Sequence, residues 1–205
     1  MTPSQPTHCN HCHPLLIGIT GGIGSGKSVI SHILRIAGLP VYDTDSEAKR
    51  IMDSPVVKSQ IIATWGTTLY QADGSLDRRK LANIVFNNPE QLTTLNNIVH
   101  PAVRNDFAQY AATCLSPALF VESAILQSAH MDNELQYVWL VTADTETRIE
   151  RVMQRNSLSR TEVISRIKAQ APYQPDNRTR IIVNDGRKAV LPQVSSLLAE
   201  AGIEW

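Results

Sequence analysis

Cysteine is scarce in this chain: its 205 residues include only three, Cys9, Cys12 and Cys114, an odd number that builds no disulfide framework and suits a reducing compartment. Excess charge of either sign is missing too. Lys plus Arg and Asp plus Glu number 19 each, so no global positive field is available to hold a nucleic acid or an acidic membrane surface. No apolar run approaches the roughly 20 residues that a membrane span requires, and no basic segment followed by an apolar one opens the sequence. A soluble, cytoplasmic protein is expected, its partners small molecules rather than nucleic acid or membrane. The segment His8-Cys9-Asn10-His11-Cys12-His13 carries soft metal ligands, yet nothing later supplies a matching Cys/His pair to fold around an ion. Residues 1–14 are therefore expected to be a flexible leader that binds metal opportunistically. With 42% hydrophobic residues, the remainder can bury one substantial core carrying a small inserted substructure.

What is present is decisive near the start. The run Gly21-Gly22-Ile23-Gly24-Ser25-Gly26-Lys27-Ser28 directly follows the apolar stretch Leu15–Thr20. Glycine, four residues, then Gly-Lys-Ser is the spacing of a phosphate-binding loop, in which backbone N–H groups and a helix N-terminus face an anion. Gly22 through Ser28 are thus the candidate nucleotide ligands. Lys27 would reach the β- and γ-phosphates, and Ser28 would hold Mg²⁺.

From Leu15 onward, short apolar strands alternate with helical periodicity, the pattern of an α/β fold with a parallel sheet covered by helices. Strands are expected at 15–20, 40–45, 118–122, 137–141 and 181–183. Helices are expected at 27–37, at about 145–155, from Ser159 to about 171 through a Ser159–Glu162 capping box, and near the end over Val190–Ala201. The core is thus placed at 15–45 and 115–205. Residues of about 46–114 read as mostly helical, with a long face formed by Leu92, Leu95, Ile98, Val99, Val103, Phe107 and Tyr110. That excursion is too long for an ordinary crossover and is expected to be an inserted acceptor-binding substructure. A lid is expected over about 145–172.

A phosphate loop alone serves GTPases, motor ATPases and small-molecule kinases. No Asn-Lys-x-Asp guanine-reading motif occurs, and the compact length with a helical insert suits a kinase acting on a small acceptor. Asp43 and Asp45 are expected beyond the carboxyl end of the second strand, where ligands of open α/β sheets gather. Asp45 is the candidate base for an acceptor hydroxyl, its competing role being the N-cap of a helix starting at Ser46. Asp43 or Glu122 would orient Mg²⁺ through water. Arg148, Arg151 and Arg155 share a helical face, where cations repel unless phosphates or the neighbouring Glu146 and Glu150 compensate; Arg160 and Arg166 are further candidates to join on closure.

Taken together, these residues resemble the dephospho-CoA kinase family. The likeness runs from Leu16 to about Leu198 and rests on Ile19–Ser28, Val41–Asp45 with Ala48, Gly74–Leu81, Val85-Phe86, Leu95, Ile98-Val99-His100-Pro101, Arg151 with Arg155, Arg166 with Gln170, and Asn184 with Gly186. The resemblance implies transfer of the ATP γ-phosphate to the ribose 3′-hydroxyl of dephospho-CoA, with Asp45 as base and Lys27 and Arg151 in the catalytic set. It implies that Arg155, Asn184 and Gly186 lie with ATP, the last two near its adenine, and that Asp43, Arg78 and His100 lie with the acceptor. After the third core strand the family's Asp-x-Pro-Leu-Leu-Phe-Glu pattern is replaced by Glu122-Ser123-Ala124-Ile125-Leu126-Gln127-Ser128, and residue 148 is Arg where Gln is usual. A nucleotide kinase with a smaller acceptor, and a module that binds ATP without transferring phosphate, are the rival readings.

Overall fold

The computed structural model describes residues 13–85 and 88–205. The metal-binding reading of Cys9 and Cys12 and the resemblance at Phe86 therefore fall outside the described residues. Strand β1 (Leu15–Thr20) lies at the middle of a five-stranded parallel sheet between β3 (Ala118–Glu122) and β4 (Tyr137–Thr142), with β2 (Val41–Asp43) outside β3 and β5 (Thr179–Val183) outside β4. Because the chain leaves β1 and returns to neighbours on both of its sides, the carboxyl end of β1 is a topological switch point, where such sheets bind ligands.

Strand alternation divides the core into two layers. Ile17, Ile19, Phe120 and Trp139 face helix α1 (Lys27–Ile36) and the last helix, α8 (Val190–Glu200), which contribute Ile30, Leu34, Val194 and Leu198. Phe120 and Trp139 pack as a tilted pair with ring centroids 5.2 Å apart. Leu119, Val121 and Val138 face the other way, into the helices α2 (Thr44–Met52), α3 (Pro55–Trp65), α4 (Arg78–Val85) and α5 (Pro89–Thr113), with a 3₁₀ turn at Thr67–Leu69. Ile51, Ile61, Val99, Val103 and Phe107 complete that second layer. The helical excursion thus shares its core with the sheet.

The β2–α2 junction departs from expectation. The strand ends at Asp43 rather than 45, and the helix begins at Thr44, so Asp45 stands in the first helical turn. Asp43, not Asp45, is the N-cap: its carboxylate accepts the N–H groups of Asp45 and Ser46 and the Ser46 hydroxyl. Local sequence could not decide between two aspartates that both favour caps.

Helix α6 (Thr145–Asn156) and helix α7 (Arg160–Ala169) form a hairpin joined through Ser157, with the Ser159–Glu162 capping box present. The hairpin has its own small core of Ile149, Val152 and Val163, against which Ile23 of the glycine loop packs. These apolar contacts are separate from the two main layers.

Candidate active site

The glycine loop closes on itself and is braced from three directions. Gly26 takes a left-handed backbone (φ 94°) as it caps α1, and a Cβ there would collide with the Asn184 carboxamide, which donates to the Ser25 carbonyl at 2.9 Å. Only glycine meets both conditions. The Asn184 carbonyl in turn accepts from the Arg151 guanidinium at 2.8 Å. From α6, the Arg148 Nε–H donates to the Ile23 carbonyl at 2.9 Å while its guanidinium lies against Gly22. From the end of α7, Gln170 accepts the Ile23 N–H at 2.7 Å and donates to the Ala124 carbonyl at 3.1 Å.

Lys27 sits at the centre, its ammonium donating to the Gly21 carbonyl at 2.9 Å. Burial lowers its pKa below the ordinary value; the Glu122 and Asp45 carboxylates oppose the shift, and Arg148 and Arg155 add to it. These four charges acting on one ammonium mark where the predicted residues converge. Phosphate oxygens placed there would meet Lys27, the exposed Arg155 and the loop N–H groups. Ser28 is exposed at the start of α1, and Glu122 stands at the end of β3 beside Asp43 in register.

The arginines divide their work. Arg148 and Arg151 both donate to backbone carbonyls and position the loops, whereas Arg155 bonds through Nε to Asn156 at 2.9 Å, its terminal N–H groups making no hydrogen bond among the described residues. Burial alone lowers the Arg148 pKa. Glu146 pairs with Arg160, not with the α6 arginines, so Arg160 joins α6 to α7 across the hairpin. Sequence reasoning did not assign the loop-bracing roles of Arg148, Gln170 and Asn184. No local signal carries them, since Gln170 meets Ile23 across 147 residues of chain.

Beside the loop lies a second cavity of about 360 Å³, bounded by α2, α5 and the segment after β3. Asp45 stands at it with Thr44, Asn96, His100 and Ser123, and apolar side chains supply the rest. His100 is half-buried; burial first, then Arg104 and His130, lowers its pKa and favours the neutral ring. Arg78 is absent from the lining: its guanidinium bonds Asp53 at 2.7 Å and the Lys49 carbonyl at 2.9 Å, tying α4 to the end of α2. Gly186 occupies a left-handed turn (φ 79°) after β5, near Asn184 in sequence, with open space where a Cβ would stand. Ser128, exposed, donates to the Ile125 carbonyl at 3.2 Å. Among the described residues no group of three or more His, Cys, Asp or Glu side chains forms a metal cage.

The dephospho-CoA kinase family profile matches residues 15–189. The dephospho-CoA kinase of Porphyromonas gingivalis is 38% identical over 188 residues, covering 90% of this chain and 93% of its own. That of Thermus thermophilus is 37% identical over 191 residues, 92% of each chain. A crystal structure of a Thermus thermophilus protein superposes with a TM-score of 0.77 at 35% identity, covering 93% of this chain and 97% of the other.

Proposed function

This chain belongs to the dephospho-CoA kinase family, and from that premise we propose the chemistry its site performs: transfer of the γ-phosphoryl group of ATP to the ribose 3′-hydroxyl of dephospho-CoA, giving coenzyme A and ADP. The observation that carries this reading is the meeting of two sites at one point. A braced phosphate loop carries Lys27, and the cavity beside it carries Asp45, whose charge acts on the Lys27 ammonium.

In this reading Asp45 takes the proton of the 3′-hydroxyl as its oxygen attacks the γ-phosphorus, and the bond from that phosphorus to the β,γ-bridging oxygen breaks to release ADP. Asp43 supports the acceptor side indirectly, by capping α2 so that the Asp45 carboxylate remains free. The N–H groups of Gly22 through Ser28 and the Lys27 ammonium hold the charge that moves onto the leaving oxygens. Arg155 meets the transferred phosphoryl oxygens, while Arg151 acts through Asn184 on the loop. Mg²⁺ would be held by Ser28 with Glu122 through water, most of its ligands coming from phosphates and solvent, and would neutralise phosphate charge. Residues 46–114 form the acceptor-binding part and 145–172 the lid, whose closure excludes water. His100 lines the acceptor side; Arg78 supports it by fixing α2 against α4. No helix among the described residues is long and apolar enough to cross a membrane; a cytoplasmic location is part of the proposal.

Initial rates of ADP release with dephospho-CoA, AMP, CMP and nucleosides test the reading. Dephospho-CoA is expected to be turned over fastest by a wide margin. Faster turnover of a nucleoside or nucleotide would assign a different acceptor, and silence with every acceptor would assign a binding module.

A further inference from the structure

The cavity at Asp45 has a chemistry of its own. Apart from Asp45, its described lining is neutral or apolar: Met52, Leu95, Val99, Ile125 and Met131 form walls, and no Lys or Arg reaches it. Besides Thr44 and Ser123 near Asp45, two polar side chains break the apolar surface on α5, Asn96 and His100, one helical turn apart on the same face. Gln91, Thr93, Thr94, Arg104, Asp106 and Thr113 of α5 all make side-chain hydrogen bonds, but neither Asn96 nor His100 makes one within the described residues. Partly buried polar groups that the protein leaves unpaired are groups a ligand can pair.

Resting on the function proposed above, we propose that this cavity holds the adenine ring of the acceptor, with the Asn96 carboxamide reading the edge that bears the 6-amino group. The reacting 3′-hydroxyl must meet Asp45, and the base hangs from the same ribose ring, so the ring lies within reach of the cavity. The pantetheine arm begins only beyond the diphosphate. A diphosphate has no place here, since no cation lines the walls and an apolar surface would strip its hydration without compensation. A flat heteroaromatic ring suits the remaining space: its faces meet the aliphatic walls, and its edge offers the donor and acceptor that a carboxamide pairs bidentately. The volume of about 360 Å³ lies in the range of small-molecule pockets. His100, kept neutral by its surroundings, can exchange a hydrogen bond with the ring or ribose without placing a charge beside it.

The test compares dephospho-CoA with an analogue carrying unsubstituted purine in place of adenine, in the wild type and in Asn96→Leu, with thermal unfolding of the variant recorded alongside. The wild type is expected to lose about 10- to 100-fold in kcat/KM when the amino group is removed. That loss should reside in the acceptor KM, with the KM for ATP unchanged. Asn96→Leu is expected to use both acceptors at one similarly reduced efficiency. Equal use of the two acceptors by the wild type would overturn the assignment, and so would discrimination that survives in Asn96→Leu; the wild-type arm needs no variant to fold. Wild-type enzyme that phosphorylates neither acceptor would instead overturn the function itself, and this inference with it.

Discussion

At the scale of single residues, the proposed function rests turnover on the carboxylate of Asp45. Replacing it with Asn keeps size and helix position, so Asp45→Asn is expected to lower kcat about 10²- to 10⁴-fold while leaving ATP affinity nearly unchanged. Equilibrium nucleotide binding alongside steady-state rates checks it. His100 gives a second prediction, on stability. Its pKa in the fold lies below the ordinary 6.5, so between those two values the unfolded chain binds more protons than the native one. Stability then falls as pH drops from about 6.5 through the folded-state pKa. His100→Gln is expected to flatten that acid-side slope in denaturant titrations; an unchanged slope would assign it to other groups. Lys27, Ser28 and Asp45 could be singled out from the sequence because their spacing is local. The place of Arg78 could not: its salt bridge to Asp53 depends on how α4 packs, which residue type does not disclose.

At the scale of elements, the junction of β2 and α2 decides where Asp45 points. If Asp43 acts by capping, Asp43→Asn should retain activity within several-fold, because Asn caps as well as Asp, while Asp43→Ala should lose about 1 kcal/mol of stability and much of its turnover. Matched loss in both variants, measured by thermal unfolding and steady-state rates, would assign a role to the charge instead. The lid offers the parallel case. Gln170 joins the end of α7 to both the glycine loop and Ala124, so Gln170→Ala is expected to raise the KM for ATP several-fold, with faster amide exchange in the loop as the independent readout. Helix and strand positions in the sheet-bearing part were largely legible in the sequence, since periodicity and the Ser159–Glu162 box are local signals. The error of two residues at Asp43–Asp45 came where a three-residue strand meets a cap, too short for periodicity to speak.

At the scale of the whole molecule, the parallel sheet does two jobs with one core. Its central strand delivers the phosphate loop at the switch point, and its second apolar layer runs without a break into α2–α5, so the acceptor cavity is fixed relative to the loop. Among the described residues the α6–α7 hairpin has a small core of its own, in line with the proposal that it is the lid. The alternation of strands and helices made the architecture legible from the sequence, whereas the shared core was not, because it requires knowing which face of each strand meets which helix. The measurement that tests the account most directly is phosphorus NMR of the product formed from ATP and dephospho-CoA by wild type and Asp45→Asn. A new phosphomonoester on the ribose 3′-oxygen, formed by wild type and slowed by at least about 10²-fold in the variant, is the predicted result. Phosphate on any other atom, or equal rates in the two proteins, would contradict it.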